Sequence, residues 1–135
     1  MRLVADTNVL VAGILSASGP PGWIVEALLS GEIEPVLDAG IRAEYEDVLT
    51  RPELSLKPER VAAVLDVIDA FGLEAVVPPW PEPLPDPDDA PFLAVAAWVS
   101  CPLVTGNLRH FPAKARGGVV VLSPRQLVDN LSRRS

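Results

Sequence analysis

The stretch Arg2-Leu3-Val4-Ala5-Asp6-Thr7-Asn8-Val9-Leu10 constrains this chain more than any other. Leu3, Val4 and Ala5 form an apolar run with no polar break, the pattern of a short strand buried on both faces. Such a strand has no room for a charge. An acid can first stand where the strand stops, at the carboxyl edge of the sheet, and in open α/β sheets ligands bind at that edge. Asp6 occupies that place, and an apolar run resumes behind it at helical length. The opening predicts an α/β fold and makes Asp6 the first candidate site residue.

The rest of the chain alternates in the same way. Residues 9–16 read as a helix, broken by Gly19-Pro20-Pro21-Gly22, and residues 23–30 as a second, stopped by Gly31. Val36-Leu37 is a brief strand, with Pro35 at its start and Asp38 able to cap the next helix. That helix, over 39–50, carries Ile41, Tyr45, Val48 and Leu49 on one face. Residues 57–71 are the clearest amphipathic helix, and 74–77 a third strand. Alternating prolines hold 78–87 extended as a strut for a further helix. This one runs from Asp88-Asp89 to about Val99 and is apolar nearly all round, so it should be buried. Leu103-Val104-Thr105 and residues 119–122 give two more strands. Ser123-Pro124-Arg125-Gln126 has the pattern of a capping box before a last helix. Strands alternating with helices imply one three-layer α/β/α domain over residues 1–135, with a mostly parallel five-stranded sheet. Right-handed crossovers bring all its strand ends to one edge.

Composition narrows the function. At 135 residues and 49% apolar the chain is long enough for one core and is not disordered. It shows no apolar run of membrane-spanning length and no basic-then-apolar leader, so a soluble, cytoplasmic protein without membrane contact is expected. The single Cys101 cannot form an internal disulfide, which suits a reducing compartment. A net charge of −7 argues against nonspecific binding of polyanions, but the charge is uneven. From Asn107 onward six bases face one acid, whereas the first 106 residues hold 17 acids and five bases. The basic end could hold a phosphate backbone or could simply be a solvated face.

The acids carry the chemistry. Glu44 lies on or beside the buried stripe of its helix, so its carboxylate needs a partner or a cation. Of Asp88 and Asp89, one suits a helix cap; we assign the cap to Asp88 and a ligand role to Asp89. Asp6, Glu44, Asp89 and Asn107 could then converge on one crevice. Two unit charges about 5 Å apart repel by roughly 3 kcal/mol at an effective dielectric near 20, so three pairs would cost on the order of 10 kcal/mol, comparable with the stability of a domain. Such a cluster must take up protons or bind a hard cation. The candidate ligands are all oxygen donors, which suits Mg²⁺ or Mn²⁺ and not zinc. An ion of that kind supports phosphodiester hydrolysis.

Asp6-Thr7-Asn8-Val9, Glu44-Tyr45, Asp86-Pro87-Asp88-Asp89 followed by Phe92-Leu93 and Ala96, and Leu103-Val104-Thr105-Gly106-Asn107 resemble, in order, the motifs of the PIN-domain ribonucleases, and of their toxin-like, VapC-type branch in particular. The resemblance implies a metal-dependent endoribonuclease. Asp6, Glu44 and Asp89 would match the three central metal-binding and catalytic acids, and Asp86 an accessory acid. Asn8 and Thr105 would line the site. Asn107 stands where the family often has a fourth acid, which leaves a tightly held second ion in doubt. The branch commonly dimerises and is inhibited by a small antitoxin, so a homodimer and an antitoxin partner are implied beside the RNA substrate.

Outside the resemblance, Arg109 is a candidate phosphate contact, His110 a packing or surface residue, and Trp23, Trp80 and Trp98 core or interface. Two other functions compete. A non-catalytic RNA- or protein-binding module on the same scaffold is kept open by Asn107. A phosphotransfer enzyme or signalling receiver fits less well. One would want an acid where Asn8 stands, and the other a lysine after the last strand, whereas Lys57 and Lys114 both precede it.

Overall fold

The computed structural model describes the backbone of residues 1–134 and the side chains of residues 1–132. Strands β1 (Arg2–Ala5), β2 (Glu34–Leu37), β3 (Leu73–Glu74), β4 (Leu103–Val104) and β5 (Val121–Leu122) form one parallel sheet in the order β3-β2-β1-β4-β5. The helices between and after them are α1 (Thr7–Leu15), α2 (Gly19–Ser30), α3 (Ala39–Leu49), α4 (Pro58–Phe71), α5 (Ala90–Val99) and α6 (Pro124–Arg134). The chain moves from β1 to β2 to β3 in one direction, then crosses back to place β4 on the other side of β1. Right-handed crossovers therefore put α1 and α2 on one face and α5 on the other. The α/β/α layering with a five-stranded sheet is as the sequence implies. Its core is a single contiguous cluster, with Leu3, Val4, Leu10, Ile24, Leu93, Val95, Leu103 and Val104 sealed from solvent.

The boundaries differ from those expected at a few points, each for a local chemical reason. Gly19-Pro20-Pro21-Gly22 does not break a helix but opens one. Ser18 is the N-cap of α2 and prolines occupy its first turn, where a missing N–H costs nothing. α1 and α2 thus turn through 97° over three residues. The helices approach closely there, since a Cβ on Gly13 would lie 2.4 Å from both the Pro21 carbonyl oxygen and Val25 Cγ2. β3 is Leu73–Glu74, two residues long, and not 74–77, because the chain has left the sheet by Val76, which is 93% exposed. β5 starts at Val121, although the Val120 carbonyl before it already accepts the Leu103 amide at 2.9 Å. α5 is buried over Phe92–Ala96 but exposes Trp98 at its end. The cap of α3 is as expected, with Asp38 accepting the Ile41 amide at 2.7 Å. So is the box opening α6, where Ser123 and Gln126 exchange side-chain-to-amide bonds at 2.8 and 3.1 Å. Among the described residues no single helix is long and apolar enough to cross a membrane.

The proline strut after β3 is tied down at one point. Trp80 Nε1 donates to the Ala115 carbonyl at 2.9 Å, and its ring packs over Gly117 and against the core. The strut therefore runs beside the segment that connects β4 to β5.

A candidate acid site at the switch in strand order

Parallel sheets open a crevice where neighbouring strands send their connections to opposite faces. Here that point lies between β1 and β4, which are paired Val4 to Leu103 and Ala5 to Val104. Asp6 follows β1 and Thr105 follows β4, so the sheet order alone places them side by side. The ladder extends into them, with the Asp6 amide donating to the Val104 carbonyl at 2.9 Å.

Side chains then knit the two strand ends together. Thr105 is fully buried, and its hydroxyl donates to Asp6 Oδ2 at 2.8 Å while accepting the Asn107 amide at 3.0 Å. Asn8 spans the same gap. Its Nδ2 donates to Asp6 Oδ2 at 3.3 Å and its Oδ1 accepts the Gly106 amide at 2.9 Å. Asp6 is 5% exposed and makes no capping bond to α1, which removes the reading of it as a simple helix cap.

Glu44 reaches the cluster from α3. Its neighbour Tyr45 is sealed in the core and donates its hydroxyl to the Ala5 carbonyl, one residue before Asp6. On the outer side Arg42 forks between Asp69 of α4, at 2.6 and 2.9 Å, and Glu46 at 3.0 Å. Fixed on both sides, α3 presents Glu44 to the start of α1, where the Thr7 hydroxyl donates to its carboxylate.

The acidic turn before α5 is organised differently from the expectation. Pro87–Asp89 is a turn of 3₁₀ helix, and Asp86, not Asp88, caps it by accepting the Asp88 amide at 3.0 Å. Asp88 is exposed. Asp89 sits at the N-cap position of α5, makes no cap bond, and is 13% exposed at its side chain. Its Oδ2 is buried with no hydrogen-bond partner among the described residues. His110 Nδ1 lies 3.0 Å from that oxygen, the nearest positive or hydrogen-bonding group offered to it.

Electrostatics couple these groups. Burial pushes the Asp6 carboxyl above its ordinary value, and the charge of Glu44 adds to this, while the Thr105 hydroxyl, the Thr7 amide and His110 hold it down. Asp89 is pushed up to about 6, first by burial and then by the charges of Asp6 and Asp86, with His110 pulling the other way. Asp6 therefore feels Glu44 and Asp89 feels Asp6. The cluster forms a chain of neighbours, and among the described residues no three His, Cys, Asp or Glu side chains enclose one point closely enough to hold an ion as they stand. What the donor set offers is oxygen: the Asp6 and Asp89 carboxylates nearest, Glu44 held one step back by Thr7, and Asp86 beyond Asp89. A buried carboxylate oxygen without a partner is an unmet demand for positive charge. Mg²⁺ and Mn²⁺, which bind through one or two carboxylates and keep several waters, fit that set.

The Asp89 shift has a measurable consequence. Its folded-state pKa lies above the ordinary value of 3.8, so the folded protein holds this proton more tightly than the unfolded one. Stability then falls as pH rises from about 4 to about 6, and the full penalty is present above that window. With divalent ions chelated, Asp89→Asn should melt higher than the parent at neutral pH, by an amount worth about 1–2 kcal/mol after allowance for solvent screening. The gain should vanish near pH 4. Thermal denaturation at the two pH values checks this, and a variant less stable at neutral pH would contradict it.

The basic turns Leu108–His110 and Ala113–Ala115 follow β4, and the first of them brings His110 onto Asp89. Arg109 and Lys114 are exposed, while Arg116 is engaged internally, its Nε donating to the Phe111 carbonyl at 2.7 Å. The side chains of Arg133 and Arg134, also in the basic end, lie outside the described residues. A cavity of about 580 Å³ lined by Met1, Arg2, Cys101, Val119 and Leu127 opens at the opposite, amino edge of the sheet. It holds no acid cluster, so chemistry and not concavity singles out the acid edge.

Sequence reasoning misses two residues at this edge, Thr7 and His110. Thr7 has a signal, its place directly after Asp6 in the motif. His110 has none, because only the turn after Asn107 brings it back onto Asp89.

The chain matches a family model described as the PIN domain over residues 2–109, from β1 through the turn after β4. No curated protein matches it well enough to count as a relative.

Proposed function

This chain belongs to the PIN-domain family, a nuclease-type fold, and from that premise we propose that it is a Mg²⁺- or Mn²⁺-dependent endoribonuclease. The observation that carries the reading is the buried, unpartnered Asp89 oxygen beside an Asp6 that is itself raised by burial and by Glu44. Asp6, Asp89 and Glu44 would hold the ion, with Asp86 as an accessory acid. Bound there, such an ion supplies Lewis-acid polarisation of a phosphodiester and lowers the pKa of water.

The chain's own residues do the positioning. Thr105 and Asn8 fix the Asp6 carboxylate at the strand ends, so it need not reorganise when substrate arrives. Thr7 holds Glu44 at the rim. Arg109 and Lys114 are exposed and form no ion pair among the described residues. They offer charge to a phosphate backbone that a net charge of −7 would otherwise repel. Asn107 contributes its amide to Thr105, and its side chain adds no charge to the site. We further propose a VapC-type toxin role in the cytoplasm, as a homodimer held in check by a small antitoxin. The family motifs support this, and a neighbouring reading frame encoding a small protein with a basic DNA-binding half would support it further.

The test is cleavage of single-stranded RNA by the full chain with Mg²⁺ or Mn²⁺. Cleavage should stop with EDTA and return on adding excess ion. Activity indifferent to EDTA would discard the metal-carboxylate mechanism. No cleavage of varied RNAs, together with no binding of Mn²⁺, would favour the rival reading of an inert binding scaffold.

A further inference from the structure

We propose that Trp80 is a positioning residue for the acid edge: its clasp on Ala115 and Gly117 fixes where the turn Pro87–Asp89 stands against the turn Leu108–His110. The inference rests on the reading of Asp89 as a site residue and deepens it.

The sequence makes the strut depend on a side chain. Pro78, Pro79, Pro81, Pro83 and Pro85 have no N–H, so the stretch offers few donors to a ladder, whose last bond is that of the Ala75 amide to the Leu37 carbonyl. Among the described residues, the Trp80 indole makes the one hydrogen bond that joins residues 76–85 to the rest of the chain, at 2.9 Å to the Ala115 carbonyl. Those prolines are exposed, whereas Val77, Trp80 and Leu84 turn inward against the core. Of the three inward side chains only Trp80 has a polar tip, which fixes direction as well as depth. A segment stiffened by prolines transmits position along its length, so a pin at Trp80 sets where Asp86 emerges.

The surface that receives Trp80 is shaped for it. Gly117 has a φ of +55°, and a Cβ there would stand 2.9 Å from Cζ2 and Cη2 of the indole, so the ring lies where only glycine leaves room. Ala115 is buried and belongs to a short unit that holds its own shape. Its amide donates to the Pro112 carbonyl at 2.9 Å, and Arg116 Nε donates to the carbonyl of the fully buried Phe111 at 2.7 Å. His110 directly precedes that unit, and its imidazole meets the Asp89 carboxylate at 3.0 Å. The contacts close a circuit. Trp80 leads along the strut to Asp89, Asp89 meets His110, and His110 leads through Phe111 back to the residues that hold Trp80. The imidazole is 42% exposed, so its pairing with Asp89 is the weaker closure. The indole, packed on the core, is the stronger and sets the geometry of the other.

The chain has one histidine, so its ring signals in a nuclear magnetic resonance spectrum need no assignment. With divalent ions chelated at neutral pH, Asp89→Asn gives the ring shifts of a His110 without its charged partner. In Trp80→Ala the His110 signals should move most of the way to that position, while the Val4 and Thr105 amides, bonded at the centre of the sheet, keep their parent shifts. Trp80→Phe keeps a ring and loses the donor; it should move the His110 signals in the same direction by less, and it decides the question alone if Trp80→Ala does not fold. His110 signals that stay in place in the folded variants overturn the positioning role. Shifts spread evenly across the sheet overturn it too, and make Trp80 an ordinary packing residue. In RNA cleavage, Trp80→Ala should lower kcat by roughly ten- to a hundredfold, with a smaller change in KM, as misplacement of a reacting group does. A parent chain that cleaves no RNA removes the nuclease reading and leaves the histidine signals to judge the clasp.

Discussion

Asp6→Asn should abolish RNA cleavage, lowering kcat by roughly 10²–10⁴-fold, the loss expected when several kcal/mol of metal-based stabilisation disappear. The substitution is nearly isosteric and keeps an oxygen able to accept from Thr105, so the strand ends stay joined. What it removes is the charge at the centre of the cluster. That charge is costly in the fold, since burial and Glu44 both disfavour it. Loss of activity should therefore come with unchanged or slightly higher stability in EDTA, the signature of a group kept for function. Single-turnover cleavage and thermal denaturation on the same preparation check both halves. Parent-like cleavage by the variant would remove Asp6 from the mechanism. Loss of activity accompanied by unfolding would make it structural.

Tyr45→Ala should destabilise the protein by about 3–5 kcal/mol, the range for truncating a buried aromatic side chain. For a domain of this size that corresponds to a fall in Tm of roughly 10 °C or more. Tyr45 is 1% exposed, and its hydroxyl is the link between α3 and the last residue of β1. Tyr45→Phe separates the two contributions. It keeps the ring and leaves the Ala5 carbonyl short of one donor, a loss of about 1–2 kcal/mol. Because the bond lies one residue from both Asp6 and Glu44, Tyr45→Phe should also slow cleavage modestly while the fold persists. Urea denaturation of the three proteins gives the stabilities, and equal stability of Tyr45→Ala and the parent would contradict the packing argument.

The architecture is legible because burial writes directly into sequence. Leu3-Val4-Ala5 and Leu103-Val104 are uninterrupted apolar runs, and strands buried on both faces can look like nothing else at that length. Residues 57–71 carry a clear helical stripe, and α4 spans Pro58–Phe71 with Lys57 at its N-cap. The differences fall where proline and glycine do two jobs. Gly19-Pro20-Pro21-Gly22 reads as a break, yet proline is equally at home in a first helical turn, and only packing on Gly13 decides. Residues 75–77 are apolar enough for a strand, but nothing in their pattern says that β3 stops at Glu74 and that the Ala75 amide makes the last bond to β2.

The acid edge is legible in part. Asp6 and Thr105 meet as the strand order requires, because position at a strand end is a topological property. The division of labour among Asp86, Asp88 and Asp89 is not. Each of the three suits a cap, and the cap bond depends on a turn of 3₁₀ helix that composition does not specify. His110 lies further out of reach. Its contact with Asp89 depends on how one short turn folds back across the sheet edge, and a single chain gives no spacing rule for that.

The pairing of β1 with β4 has a consequence in time. Asp6 and Thr105 are separated by 99 positions, and the bond between them needs the two central strands side by side. A chain emerging from the ribosome displays Asp6, Thr7 and Glu44 early, while the residues that orient and oppose them are still being made. The acidic edge is thus assembled last, after nearly every other element exists. A PIN fold built this way has no complete acid edge until its synthesis is nearly finished, and a copy truncated before β4 is born without one.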